Sequence, residues 1–342
     1  MNLVATQRCP LCGRDAARAE PIYAVGRAGV GVVRCGRCGL AFATAGASAE
    51  VLGADYSARA ERDADADADA RAGHGERPGI RRKRARVALY DRLSRGRIGN
   101  PHPGSRALDI GCNTGLLLDA LAERGYATEG IERSPAAAQA RAAGHVVHQV
   151  DIEGAQRLDG RFDLITLTHV LEHLRQPIAA LEWIGRHLAP GGLLIVEVPN
   201  FDDAARPLWG LAYRPLELGD HLSFFERATL REALDGAGLT TLELWSAPQA
   251  GSLLFPSALS ALDRALTPAL GALSKLRRLA ERAPADATAS DGGRIRGGGR
   301  LGRLTERLLD GLDRLDPALE SSFGADCAWG ANLVALATAP RA

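Results

Sequence analysis

The sequence is short of aromatic residues, of net charge and of long apolar runs, and each shortage removes a class of function. Only 5% of the 342 residues are aromatic, while 46% are hydrophobic. Ala, Leu and Val carry that apolar content, and it is ample for a sizeable core. The formal net charge is +1, with cations that are nearly all Arg, so no global field draws in a nucleic acid or an anionic membrane. No apolar run approaches the roughly 18 residues of a spanning helix. The N-terminus has no basic-then-apolar leader, and a cysteine already stands at position 9. A cytoplasmic chain without a disulfide framework is the expectation. Its length suits one large domain, or one medium domain with attachments.

The most organised stretch is Ala107-Leu108-Asp109-Ile110-Gly111-Cys112-Asn113-Thr114-Gly115, followed by Leu116-Leu117-Leu118-Asp119-Ala120-Leu121. It reads as a buried strand, a tight turn and the first turns of a helix. Such a junction brings backbone N–H groups and a helix N-terminus to a ligand. The dinucleotide fingerprint G-x-G-x-x-G is missing, because Asn113 and Leu116 stand where glycines are required. That argues against a nicotinamide-dependent oxidoreductase. Asn113 can still take the left-handed conformation such a turn needs.

Two matching knuckles open the chain, Cys9-Pro10-Leu11-Cys12-Gly13 and Cys35-Gly36-Arg37-Cys38-Gly39. Four thiolates at this spacing suit tetrahedral zinc, so Cys9, Cys12, Cys35 and Cys38 are the expected ligands of a structural ion. The separation of the pairs slightly exceeds the usual span of about 15–20 residues. Ile22–Val25 and Val30–Val33 read as short strands of a zinc ribbon. The alternative is a thioredoxin-like redox pair, which would need a βαβ context that is not there.

Further along, the alternating Asp-Ala run at residues 63–70 reads as a solvated acidic linker, with Tyr56 a candidate cover for a pocket. Arg81-Arg82-Lys83-Arg84-Ala85-Arg86 is either a phosphate or nucleic-acid patch or the polar face of an amphipathic helix. A second strand ends at Glu132, roughly twenty residues past the turn, where α/β nucleotide folds place a carboxylate for ribose hydroxyls. Ser134-Pro135 reads as a helix cap and first position. His145–Val150 reads as a third strand ending at Asp151-Ile152, and Phe162–Thr168 as a fourth. His169-Val170-Leu171-Glu172-His173 matches the inverzincin protease pattern in letters, but that pattern needs one helical face and His169 directly follows a strand. A Pro190-Gly191-Gly192 turn feeds a continuous apolar strand ending near Asn200, of the kind buried in a parallel sheet. His221-Leu222-Ser223-Phe224-Phe225 precedes a helix from Arg227 to Gly238. Strands at Leu239–Trp245 and Ala331–Thr338 follow. Between them, Phe255 and then Leu at three-to-four spacing to residue 279, and Leu again over 301–319, read as amphipathic helices around a Gly-rich linker at 284–300. These helices pack on the core, or form a dimer face, an acceptor lid or a membrane-surface contact through Arg277, Arg278 and Arg282.

Taken together, the spacing Asp-x-Gly-x-Asn-x-Gly, the acid at Glu132, Leu-Glu-His after the fourth strand and the Pro-Gly-Gly strand resemble the class I S-adenosylmethionine (SAM) methyltransferases. The family more often has glycine where this chain has Asn113. The resemblance covers roughly residues 104–246. It implies an α/β fold: a Rossmann-like seven-stranded sheet with helices on both faces and an antiparallel last strand. It implies that Asp109, Gly111, Cys112, Asn113, Gly115 and Glu132 hold the cofactor. Asp151 is then expected to reach the adenine amino group while Ile152 packs on the ring. Thr168 and His169, at the strand end, are expected to face the cofactor. Leu-Glu-His is shared with the quinone-biosynthesis O-methyltransferases, and His-Leu-x-x-Phe resembles members whose loop after the fifth strand borders the acceptor pocket.

The expected organisation is a zinc ribbon at 1–43, an acidic linker at 44–79, a SAM-binding core at 80–249, a helical insertion at 250–320 and a closing strand and tail at 321–342. The expected activity is in-line transfer of the sulfonium methyl to a small-molecule or glycan acceptor, a hydroxyl in the first instance. His169, His173 or His221 would take the acceptor proton. No specific nucleic-acid partner and no transmembrane segment are expected, while a peripheral membrane contact and the oligomeric state stay open. A non-catalytic binding module, gripping its partner through the ribbon, is the rival from another class.

Overall fold

Apolar stretches alternate with polar ones over most of the chain, and they fold into strands and helices in turn. The computed structural model describes residues 8–15, 19–24, 31–44, 79–152, 158–203, 206–209, 221–247 and 331–340. Three short strands come first, β1 (Glu20–Ala24), β2 (Gly31–Arg34) and β3 (Ala41–Ala43). Helix α1 (Ile80–Leu93) precedes β4 (Arg106–Ile110), α2 (Leu116–Ala122), β5 (Ala127–Ile131), α3 (Ala137–Ala142) and β6 (Val146–His148). Next are β7 (Phe162–Thr168), a single 3-10 turn at Leu171–His173, α4 (Pro177–His187) and β8 (Leu188–Pro199). The last described elements are α5 (Arg206–Trp209), β9 (Ser223–Phe224), α6 (Arg227–Gly236), β10 (Thr240–Ala247) and β11 (Asn332–Thr338). The acidic run, Tyr56, the two Leu-rich segments and the Gly-rich linker lie outside the described residues.

Seven strands form one mixed sheet in the order β10-β11-β8-β7-β4-β5-β6. Pairings among β4 to β8 are parallel, and β11 runs antiparallel between β8 and β10. Side chains alternate across the sheet, as a period of two requires. Leu193 and Ile195 of β8, with Val334 and Leu336 of β11, pack under α1 and α2. Their neighbours Leu194, Val196, Leu333 and Ala335 pack under α4 and α6 on the other face. Chain order reverses at β4, whose neighbours are β5 and β7, so the crevice at its carboxyl end is where such a sheet receives a ligand.

Three local readings shift. The Pro-Gly-Gly turn is a bulge inside β8: Phe162 pairs with Leu188, then Leu164 pairs with Leu193. Ser134 does not cap the helix directly. It caps the turn before α3 by accepting the Ala136 N–H at 3.3 Å, and α3 starts at Ala137. The third strand keeps only Val146–His148 of the expected six residues.

The three N-terminal strands do not stand apart from the rest. They form a second sheet, β1-β2-β3-β9, whose last strand comes from residues 223–224. Cys9, Val33, Cys35, Leu40 and Phe42 are buried in the same core as Phe225, Leu230 and Leu234. Among the described residues no helix is long and apolar enough to cross a membrane.

Candidate active site

The turn after β4 is shaped by backbone. Gly111 has φ +77°, Asn113 φ +47° and Gly115 φ +85°, all in the left-handed region. At Gly111 a Cβ would also stand 2.4 Å from Val170 Cγ2, so neither the conformation nor the space admits a side chain. The Gly111 and Cys112 N–H groups donate to Ile131 O, at 2.8 and 3.2 Å, which ties the turn to the end of β5. Glu132 follows that strand and is buried. Its Oε2 accepts the Asn113 N–H at 2.9 Å, and its Oε1 accepts the Ser134 N–H at 2.7 Å. Asn113 Oδ1 is enclosed and makes no hydrogen bond within the described residues.

Asp109 lies beneath this turn, buried at the end of β4, where Thr166 Oγ1 donates to it at 2.7 Å. Burial raises its carboxyl to about 6, against the pull of that hydrogen bond. Cys112 contributes backbone rather than sulfur: its side chain packs with Leu118, Ala137, Ala140 and Val147. Burial pushes the thiol well up. Asp151 is exposed and pairs with Arg133 at 3.6 Å, while Ile152 is buried. The structure therefore gathers Asp109, Gly111, Asn113, Gly115 and Glu132 at one crevice, with the Cys112 thiol turned into the core behind it.

Across the end of β7 lies a second cluster, made of side chains from distant parts of the chain. His169 has φ +54° and stands between two buried carboxylates, Nδ1 3.3 Å from Glu172 Oε1 and Nε2 3.6 Å from Glu197 Oε1. Desolvation opposes its charge, but the two carboxylates outweigh that and raise the imidazole from 6.5 to about 9. Its side chain is 41% exposed, so one edge meets solvent while both nitrogens face carboxylates. Glu197 accepts the Tyr90 hydroxyl at 2.7 Å and the Asn332 amide at 2.7 Å, and Arg86 lies at 3.3 Å. Burial works against its ionisation, yet Arg86 and His169 hold it far below the usual carboxylate range. Thr168 Oγ1 is 3.4 Å from the Tyr90 hydroxyl.

Glu172 is as deeply buried as Glu197, but neither of its oxygens has a hydrogen-bond partner among the described residues. Burial pushes its carboxyl up, while His169, His173 and His221 together hold it below the ordinary range. His221 Nε2 lies 4.0 Å from Glu172 Oε1, and the His173 and His221 rings meet edge-on at 4.8 Å. All three candidate histidines are thus brought to one carboxylate. His169 and His173 do not share a helical face, because His173 ends the single 3-10 turn Leu171–His173 and His169 precedes it at φ +54°, and the protease pattern has no helix to stand on.

Glu197, Tyr90, Arg86 and Asn332 were not singled out from the sequence. One signal was available for Glu197, a lone charge in an otherwise apolar central strand, since a buried charge needs partners. Arg86 belongs to the basic run read as an outer helical face. The helix forms, but Arg86 turns inward to Glu197 while Arg84 pairs with Glu123 at 2.7 Å.

The cysteine pairs also converge. Cys9 and Cys38 sulfurs are 3.5 Å apart, as are those of Cys12 and Cys35, and all four lie within 4.8 Å of one another. A tetrahedron of sulfurs about 2.3 Å from zinc has edges of about 3.8 Å, so the donor set fits that ion. Each knuckle closes alike, with the Gly13 N–H donating to Cys9 O and the Gly39 N–H to Cys35 O, both at 2.9 Å.

The sheet order, the turn after its first central strand and the carboxylate at the end of the next define a methyltransferase-type α/β core. The family model for the methyltransferase domain matches residues 74–244, half of the chain, and the chain belongs to that family. Ubiquinone biosynthesis O-methyltransferase of Alkalilimnicola ehrlichii is 34% identical over 105 residues, covering 28% of this chain and 42% of that protein. The Caulobacter sp. protein of the same name is 34% identical over 126 residues, covering 33% and 48%. The chain spans about half the length of the curated relatives it matches. A SAM-dependent methyltransferase from Archaeoglobus fulgidus aligns at 15% identity with a TM-score of 0.44, over 74% of this chain and 93% of that one.

Proposed function

We propose that the protein is a SAM-dependent methyltransferase acting on a hydroxyl of a small-molecule or glycan acceptor. The observation that carries this reading is the left-handed Gly111–Gly115 turn, locked by its Asn113 N–H to the buried carboxylate of Glu132. A carboxylate has about four lone-pair sites, and two backbone N–H groups occupy two of them here, which leaves acceptors for a ribose cis-diol. The enclosed, unpaired Asn113 Oδ1 suits a donor on the cofactor. Asp151 and Ile152 follow β6 and are assigned to the adenine edge and face. Bound SAM supplies an electrophilic sulfonium methyl. The chain's part is to fix that group in line with the acceptor oxygen and to take the acceptor's proton.

Among the three histidines, His169 suits that proton least. Both its nitrogens face carboxylates, and at neutral pH it is already protonated. His221, with Glu172 behind it, is assigned as the general base, and His173 beside it as its neighbour in the acceptor pocket. The curated relatives' names, O-methyltransferases, support an oxygen acceptor. The four-cysteine cluster is assigned to structural zinc.

Calorimetric titration with S-adenosylhomocysteine tests the reading. The wild type should bind, and Glu132→Ala should weaken binding by about 1–3 kcal/mol, as expected for lost charge-assisted hydrogen bonds. No binding by the folded wild type would overturn it. A screen of phenolic and sugar hydroxyl acceptors then follows, with His221→Ala lowering kcat while cofactor affinity stays unchanged.

A further inference from the structure

The segment after residue 220 is held from two sides. On one side the Leu222 N–H donates to Glu172 O at 2.8 Å, so the backbone next to His221 is anchored to the turn that carries Glu172. On the other side Leu222 O accepts the Ala43 N–H at 2.9 Å, and β3 pairs with β9 through Ala41–Phe224 and Phe42–Ser223. The acceptor-side histidine therefore sits where the cysteine-bearing sheet meets the main fold. Arg34 joins the two. Its Nη2 donates to Glu226 Oε1 at 2.6 Å, and its Nη1 donates to Glu226 Oε2 at 3.1 Å and to Gly39 O at 2.8 Å. Gly39 closes the second cysteine knuckle, and Glu226 caps α6 in a reciprocal capping box with Thr229. One planar guanidinium thus ties the Cys35–Cys38 knuckle to the helix that begins just after His221 and β9. A fork-to-fork Arg–carboxylate pair fixes orientation as well as distance.

We infer that Arg34 is a positioning residue for the acceptor side, and that the four-cysteine cluster acts through it and β3 to hold His221 against Glu172. The inference rests on the assignment of His221 above, but its test is separable from the test of cofactor binding. The tether makes no hydrogen bond to the Gly111–Gly115 turn or to Glu132, which belong to the ends of β4 and β5 on the far side of β7, although Val170, beside the Glu172 turn, packs on Gly111. Loss of the tether should disturb the acceptor side alone.

The test compares wild type, Arg34→Ala, Arg34→Lys and chelator-treated wild type, with metal content measured for each. The first readout is the S-adenosylhomocysteine dissociation constant. The second is the His221 ring cross-peak in a histidine-labelled NMR spectrum, assigned with His221→Gln. In Arg34→Ala and in metal-free protein the cross-peak should move. Cofactor affinity should stay within about twofold, a difference of about 0.4 kcal/mol. Arg34→Lys, which keeps the charge but loses the fork, should fall between wild type and Arg34→Ala. An unmoved His221 signal in both Arg34→Ala and metal-free protein overturns the inference. Parallel loss of cofactor binding in Arg34→Lys overturns it too, in favour of a general folding role. If the wild type fails to bind S-adenosylhomocysteine, the methyltransferase reading falls, while the His221 signal still decides whether the tether exists.

Discussion

The two sides of the crevice are built by opposite means. The side proposed for the cofactor uses backbone geometry with the carboxylates of Asp109, Glu132 and Asp151, and its parts fall within residues 109–152. The side proposed for the acceptor uses side chains from α1, β7, the 3-10 turn, β8, the segment at His221 and β11. A backbone site is fixed by conformation, so it tolerates little change in the turn. A side-chain site is fixed by desolvated charges that must satisfy one another, so removing a member leaves the rest buried without partners. Binding should therefore depend on the first side and stability on the second.

The sharpest way to break that contrast is Glu197→Ala. It leaves Arg86, His169, Tyr90 and Asn332 around an absent carboxylate, and chemical denaturation should show a loss of about 3–5 kcal/mol. S-adenosylhomocysteine affinity of the surviving folded protein should change little; a large loss of affinity with unchanged stability would reverse the assignment of the two sides. Next in size is Gly111→Ala. The left-handed conformation costs an alanine about 1–2 kcal/mol. The encounter with Val170 adds a further cost of about 1–3 kcal/mol. The free turn escapes both costs by leaving the left-handed conformation and must pay them back on binding, so calorimetry should show affinity reduced by about 2 kcal/mol or more, roughly thirtyfold. Wild-type affinity in this variant would show that the turn is not the binding element.

A pH series sharpens the comparison. The folded His169 titrates at about 9, above its ordinary 6.5, so its stabilisation is complete below about pH 6.5 and is lost as pH rises towards 9. Thermal melts should fall across that window, and His169→Asn should flatten the decline. An unchanged slope in the variant would show that other groups carry the dependence. The smallest effect belongs to Cys112→Ala. Its thiol is core packing, so stability should drop by about 1 kcal/mol. Cofactor affinity should stay within about twofold, and a greater loss would bring the sulfur back into the site.

How much of this was legible in the sequence follows the same division. The glycine turn, Glu132 and the cysteine pairs are each set by spacing over a few residues, and local spacing is what a sequence displays. Apolar runs separated by helical ones display the alternation of strands and helices, while the seven-stranded sheet with its antiparallel last strand was implied by the family resemblance. Glu172 and the three histidines were visible as residues, but not that one carboxylate serves all three. Tyr90, Glu197 and Asn332 meet only because α1, β8 and β11 become neighbours on folding, and no spacing announces that. The Arg34–Glu226 pair is hidden in the same way, between a strand of the cysteine-bearing sheet and the cap of α6.

The neighbours β10 and β11 carry a consequence of another kind. They pair antiparallel from Thr240–Thr338 to Ala247–Asn332, as the two arms of a hairpin would. The chain leaves the sheet after Ala247 and re-enters at Asn332 almost where it left. The sheet thus sets no length on what is spliced between those points, and loop-closure entropy grows only slowly with length. For protein engineers it is a socket: the ends that a grafted segment would join are already held side by side by the register of β10 and β11.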